Sequence, residues 1–336
     1  MTLPVLVFVA AAVLGSGVQA QERDRSTRAP SQDVRVWLTR IHEAASRQNF
    51  QGTFVVSSGG NVASARMAHF SDGSSQFERI ESLDGQARNV FRHNDTVHTL
   101  WPKNKVALVE RRNLLPSFPA LLQAGSHSIA EWYEVQPQAP DRVAGHEADV
   151  LLVRPKDAYR YGYRLWSDQR SGLLLRADVI AEQGQVVETS AFSDIVIGVP
   201  PNPESVLSPM KRLDGYRVIR PNMQMTQLEA EGWSMRSTAP GFRLLSCVRR
   251  DLGVTQPAAD GEAVPRMLQA IYADGMTYVS VFIEPYREAH HAKPMPAPSG
   301  ATRALARRHA EWWVTVIGDV PMATLERFAD GLERQK

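Results

Sequence analysis

The spacing of apolar and polar positions divides the chain into one helical stretch and two long runs of strand. At 34–46, Val34, Trp37, Leu38, Ile41, Ala44 and Ala45 recur at helical spacing, with Asp33 placed to cap the first turn. After Asn49 the period drops to two, and 50–57, 65–70, 75–81, 87–93, 96–100 and 105–110 read as short strands. Between them stand the turn formers Ser58-Gly59-Gly60, Asp72-Gly73, Asp84-Gly85 and Asn94-Asp95. Such a meander predicts one long antiparallel sheet. The pattern is less regular at 118–123, where a short helix is expected, and at 128–132. A second meander follows at 149–154, 159–167, 173–180 and 186–197. In its second strand Tyr159, Tyr161, Tyr163 and Leu165 share one face, and Arg160, Arg164 and Trp166 share the other.

The best domain boundary is Gly198-Val199-Pro200-Pro201-Asn202-Pro203, since three prolines in six residues discourage both helix and sheet. We read 33–198 as a large domain, 199–211 as a linker and 212–333 as a smaller domain. The smaller one has strand candidates at 233–236, 242–250, 265–273, 276–284 and 311–317, and a closing helix at 323–332. The proline-rich stretch 290–299 reads as an exposed loop.

At the N-terminus, residues 3–18 carry no charge, and Val18-Gln19-Ala20 sets compact residues where a signal peptidase reads. Residues 1–20 are therefore expected to be a signal peptide, although no Lys or Arg precedes the apolar core. No later stretch reaches the roughly 20 apolar residues of a spanning helix. The lone Cys247 excludes an intramolecular disulfide and a thiolate metal cluster. No cysteine stands at the expected cleavage point for lipid attachment. Net charge is +2, with 38 basic against 36 acidic residues, too balanced to argue for nucleic-acid binding. Arg154, Arg160, Arg164 and Arg176, scattered among strands, suit a wet sheet face or a surface that meets an acidic partner.

No catalytic signature stands out: there is no Gly-x-Ser-x-Gly elbow, phosphate loop, dinucleotide fingerprint or His-Glu-x-x-His helix. His290, His291, His309 and Asp319 are the one set that could converge on a metal. Adjacent histidines on a proline-rich loop are more often solvated, so neither metal nor cofactor is expected. Cys247 reads as a small buried hydrophobe. The chain reads as a binder.

Several segments together resemble the RseB/MucB family of periplasmic regulators of the extracytoplasmic stress sigma factor. They are His69-Phe70-Ser71-Asp72-Gly73, Glu78-Arg79-Ile80-Glu81-Ser82-Leu83-Asp84-Gly85, and above all Tyr159-Arg160-Tyr161-Gly162-Tyr163-Arg164-Leu165-Trp166. Beyond the boundary, Pro240-Gly241-Phe242, Tyr272-Ala273-Asp274-Gly275-Met276 and Val316-Ile317-Gly318-Asp319-Val320-Pro321 fit its smaller domain.

The resemblance implies an α+β protein. Its large domain would be a curved antiparallel sheet, an unclosed barrel like that of the lipoprotein carriers LolA and LolB, with helices over an apolar cavity. A smaller α+β domain would follow. It also implies a non-enzymatic negative regulator that binds the periplasmic segment of a membrane-spanning anti-sigma factor and shields it from proteolysis. Acylated lipoprotein or lipopolysaccharide would occupy the cavity and release that segment, without contact to nucleic acid. Self-association is left open. Phe54, Phe70, Phe77, Tyr161 and Tyr163 are the cavity-wall candidates, with ordinary core packing as the alternative. For the partner we single out Arg243, Tyr272, Phe282, Trp312 and Trp313, with Arg111 and Arg112 as further acidic-partner contacts. Consecutive tryptophans on a strand point to opposite faces, so one would be core and the other exposed. The alternative function is a lipid or lipoprotein carrier without a regulatory partner.

Overall fold

The structure, a computed structural model, describes residues 30–111, 129–251, 266–292 and 300–335. The expected signal peptide, the expected helix at 118–123, Arg112 and most of the 290–299 loop lie outside the described residues.

Helix α1 (Pro30–Arg47) leads into the first meander: β1 (Phe50–Ser58), β2 (Asn61–Ser71), β3 (Gln76–Ser82), β4 (Asn89–His93), β5 (Thr96–Trp101) and β6 (Val106–Arg111). A one-turn helix α2 (Ile129–Trp132) precedes β7 (Tyr133–Val143), β8 (His146–Pro155), β9 (Gly162–Asp168), β10 (Leu174–Ile180) and β11 (Val186–Ile197). Then come α3 (Glu204–Lys211) and the short strands β12 (Arg217–Ile219), β13 (Met223–Met225) and β14 (Trp233–Met235). The chain closes with β15 (Arg243–Asp251), β16 (Arg266–Ala273), β17 (Tyr278–Pro285), α4 (Glu288–His291), β18 (Arg303–His309), β19 (Trp312–Gly318), α5 (Met322–Gly331) and β20 (Leu332–Arg334).

The two meanders join through the pairing of β1 with β11 into one open, curved sheet of twelve strands, β12-β6-β5-β4-β3-β2-β1-β11-β10-β9-β8-β7. Directly opposed residues in antiparallel strands share a face, so the register assigns every side chain to one of two sides. One side packs on α1. Leu38 and Ile41 of α1 cluster with Tyr133, Leu151, Val153, Tyr163, Leu165 and Ala177. The same face runs on through Met67↔Ile80↔Val90↔Thr99↔Leu108 and His69↔Glu78↔Arg92↔Val97. The opposite side packs on α3, whose fully buried Val206 meets Phe70, Phe77, Phe91 and Leu100.

The separate C-terminal domain holds a six-stranded sheet, β13-β15-β16-β17-β19-β18, and the β14–β20 pair. Leu325, Phe328 and Ala329 of α5 pack on Tyr272, Val281 and Val316 of that sheet.

In the large sheet and at its boundary, three features depart from the sequence reading. Strand β7 was unexpected because it contains Pro137 and Pro140; it lies at the sheet edge and bulges between Gln138 and Asp141, where missing donors cost nothing. The expected linker contains α3, because the prolines precede the helix: Pro203 already has helical φ −57° and ψ −33°. Strand β12, expected in the smaller domain, pairs in parallel with β6 at the edge of the large sheet.

Candidate functional site

The α1 face of the large sheet is apolar over most of its width, and the small domain closes one end of it. Phe54 and Tyr163 lie on this face, Phe54 edge-on to Phe192 at 5.8 Å and Tyr163 buried under α1. Burial, with Asp274 nearby, pushes the Tyr163 hydroxyl far above its ordinary range, so it stays neutral. Across β3 to β5, Ile80, Val90, Val97 and Thr99 extend the face. Polar side chains interrupt it, Glu188, Ser190 and Ser58 on the β11–β1 part and two further features on the β2–β4 part. Arg92 Nε donates to Glu78 Oε2 at 2.7 Å. His69 stacks on Phe50, and its Nδ1 lies 2.9 Å from the Gln48 carbonyl while its buried Nε2 meets no partner among the described residues. Burial outweighs the carbonyl contact and lowers the His69 pKa, so the ring is neutral and Nδ1 carries the donated hydrogen.

The five expected cavity residues do not share a wall. Phe70 and Phe77 stand opposite each other in the β2–β3 register, on the α3 side, where they fill the core under Val206. Period-two alternation sorts residues into two faces but does not say which helix covers which, and both faces here are apolar. Tyr161, buried just before β9, lies at the junction of the domains, where burial raises its pKa and Arg303 opposes that rise.

That junction is extensive. Arg160 and Asp274 form an ion pair across it, Nε to Oδ2 2.6 Å, with both side chains fully buried. Arg160 also donates to Asp157 and to the Pro240 carbonyl, and its guanidinium stands 4.8 Å from the Trp132 ring and 5.1 Å from Phe242. This corrects the wet-face reading for Arg160. The residue precedes β9 instead of lying in it, so strand alternation does not govern its direction. Tyr133 donates its hydroxyl to Asp274 at 2.9 Å, and Thr324 donates to the Tyr159 carbonyl at 2.7 Å. Two glycines with left-handed φ make close approach possible. At Gly241 (φ 81°) a Cβ would lie 2.5 Å from Trp132, and at Gly300 (φ 70°) it would strike Ser58 and Glu188. Beside Gly300 a crevice of about 590 Å³ opens between Ser57–Gly60, Val186–Thr189 and Arg303. Burial in its wall raises the Glu188 pKa.

The expected partner residues also divide. Tyr272 is 4% exposed in the small-domain core, and Trp312 packs edge-on to Trp233 at 5.7 Å on the same side. Trp313 takes the other side, stacked on His291 at 4.9 Å and near Tyr286 at 5.9 Å. Phe282 shares that side, half-buried, with Arg250 5.8 Å from its ring. Both tryptophans are half-buried, so the pair splits by face as alternation requires but neither is fully enclosed. Arg243 is exposed, as are its neighbours Leu244 and Leu245. Arg111 is solvated and lies 3.6 Å from Asp95. His291 and His309 occupy opposite sides of the small sheet, and Asp319 accepts from Thr302 at 2.7 Å, so that set does not converge. Cys247 is buried, its thiol pushed up to about 11 by burial. Sequence reasoning missed the Arg160–Asp274 pair; the one available signal was an Arg set between two tyrosines in an aromatic run.

Residues 33–211 match the MucB/RseB N-terminal domain, and residues 227–333 match the MucB/RseB C-terminal domain. The chain is 30% identical over 314 residues to the sigma factor AlgU regulatory protein MucB of Pseudomonas aeruginosa, covering 88% of this chain and 90% of that one. It is 22% identical over 290 residues to the sigma-E factor regulatory protein RseB of Haemophilus influenzae, covering 86% and 88%. Among solved structures, the Pseudomonas aeruginosa MucA/MucB complex superposes with TM-score 0.67 at 26% identity, over 90% of this chain and 99% of that one. MucB in complex with MucA(peri) gives 0.63 at 25%, over 90% and 99%.

Proposed function

The chain belongs to the MucB/RseB family, and from that premise we propose that it restrains a stress sigma factor from the periplasm by holding the periplasmic segment of a membrane-spanning anti-sigma factor. The segment is shielded from regulated proteolysis while bound, and an acylated lipoprotein or lipopolysaccharide on the α1 face weakens the grip. The observation that carries this reading is the likeness over both domains to MucB crystallised with MucA(peri). The lipid part rests on the apolar α1 face, where each buried methylene would contribute about 0.8 kcal/mol. Phe54 and Tyr163 are its proposed contacts, while Phe70 and Phe77 act as core. For the partner, Arg243, Phe282 and Trp313 are the accessible side chains, and a large aromatic beside an arginine suits an interface hot spot. Tyr272 and Trp312 support that surface from beneath. No catalytic step is assigned, and a simple carrier would have no use for a second domain fixed by a buried ion pair.

Calorimetric titration with the periplasmic segment of the cognate anti-sigma factor tests the reading. Saturable binding that Trp313→Ala weakens about tenfold or more is expected. No heat from the folded protein, alongside retained acyl-chain binding, would instead favour the carrier.

A further inference from the structure

The turn between β16 and β17 belongs to the small domain by sequence but is built into the core of the large one. Met276 is 2% exposed and packs in the same cluster as Leu38 and Ile41 of α1 and Tyr163 and Leu165 of the sheet. Two residues earlier, Asp274 divides its two oxygens between tasks. Its Oδ1 accepts the backbone amides of Met276 and Thr277, each at 2.9 Å, which fixes the shape of the turn. Its Oδ2 takes Arg160 and Tyr133 from the large domain. The same turn therefore touches the proposed acyl-binding face at Met276 and anchors the domain junction at Asp274. From there β16 runs back to Tyr272 in the small-domain core, and β17 runs out to Phe282 on the proposed partner surface.

We propose that this turn couples the two binding functions: an acyl chain entering beneath α1 displaces Met276, shifts the Asp274 turn against Arg160, and so changes the small domain's affinity for the anti-sigma segment. The inference rests on the lipid-responsive reading given above. Two physical points support it. An unbranched thioether side chain yields to a competing apolar chain at low cost, whereas the backbone to which it is attached is held by a charged carboxylate. A fully buried ion pair tolerates little intermediate geometry, because a separated charge in the interior is uncompensated, so a small displacement favours a discrete alternative packing. Met276 is thus a positioning residue, not a contact for the partner.

The test uses the whole two-domain chain and a synthetic tripalmitoylated lipopeptide as the probe. Calorimetry would follow the anti-sigma segment with and without the lipopeptide, and lipopeptide binding on its own. In the unaltered protein the lipopeptide is expected to weaken the segment about tenfold. In Met276→Ala both ligands should still bind, with the weakening reduced to about twofold or less, and Met276→Leu should restore it. Undiminished weakening in Met276→Ala would overturn the coupling and leave the regulator intact. Lipopeptide binding with no weakening in the unaltered protein would overturn the lipid-responsive reading itself, and the coupling with it. Should Met276→Ala not fold, amide hydrogen exchange in the unaltered protein decides. Changed protection at Met276 and Thr277 on adding lipopeptide supports the coupling, and unchanged protection overturns it.

Discussion

Arg160 has no exposed surface, three aromatic rings around its guanidinium and a carboxylate of the other domain at 2.6 Å. Removing one member of such a pair strands the other charge in the interior. Asp274→Ala should therefore cost about 3–5 kcal/mol in chemical denaturation, and Arg160→Met with Asp274→Leu should recover part of that loss. An Asp274→Ala loss below about 1 kcal/mol would show that the junction does not rely on the pair. Gly300→Ala imposes a side chain at φ 70° against Ser58 and Glu188, and should cost about 1–3 kcal/mol. Two buried histidines contribute to the pH response below neutrality. Burial makes His69 less basic in the folded state than in the unfolded one, and burial followed by Arg220 does the same to His98. The unfolded chain then takes up protons first, so stability is full above the ordinary value of 6.5 and is lost as the pH falls from there toward the folded pKa values. His69→Gln should flatten the acid limb of a melting-temperature profile, and an unchanged slope would contradict that assignment. At this scale the sequence was least legible. Arg160 sits in an alternating aromatic run, yet nothing local marks a charge that finds its counter-ion at residue 274.

Elements were far more legible, for a simple reason. Strands of the first meander recur with clean period two and with glycine or asparagine turns, and they form within about two residues of expectation at most ends, β2 starting earlier. Elements that escaped notice lack that pattern. Strand β7 carries two prolines, and β18 reads Arg-Ala-Leu-Ala-Arg-Arg-His; both are edge strands, where neither donors nor apolar alternation are demanded. Helix α3 hides behind prolines that set its start. The two faces of the large sheet make an element-scale prediction. Phe77→Ala, on the α3 side, should cost about 3–5 kcal/mol of stability and leave lipopeptide affinity unchanged. Leu108→Asp, on the α1 side beyond the helix, should abolish lipopeptide binding in a fluorescence-displacement assay while the protein remains folded. The reverse pattern would place the acyl site under α3.

For the whole molecule, the proline-rich boundary at 198–203 gave no hint of how tightly the domains are joined. The sequence allows a hinge, whereas the buried pair, the Thr324–Tyr159 bond and the two interdomain glycines give one defined arrangement. That arrangement places the Phe282 and Trp313 side of the small sheet, proposed above to meet the partner, and the α1 face of the large one within a single packed body, so an event at one can reach the other without unfolding either. The decisive measurement is cleavage of the cognate anti-sigma factor's periplasmic domain by its regulated membrane protease, followed with this protein absent, present, and present with tripalmitoylated lipopeptide. The account predicts that the protein slows cleavage and that the lipopeptide restores it, with Met276→Ala protecting even when lipopeptide is added. Cleavage at the same rate with and without the protein, under conditions where calorimetry shows the segment bound, would contradict it.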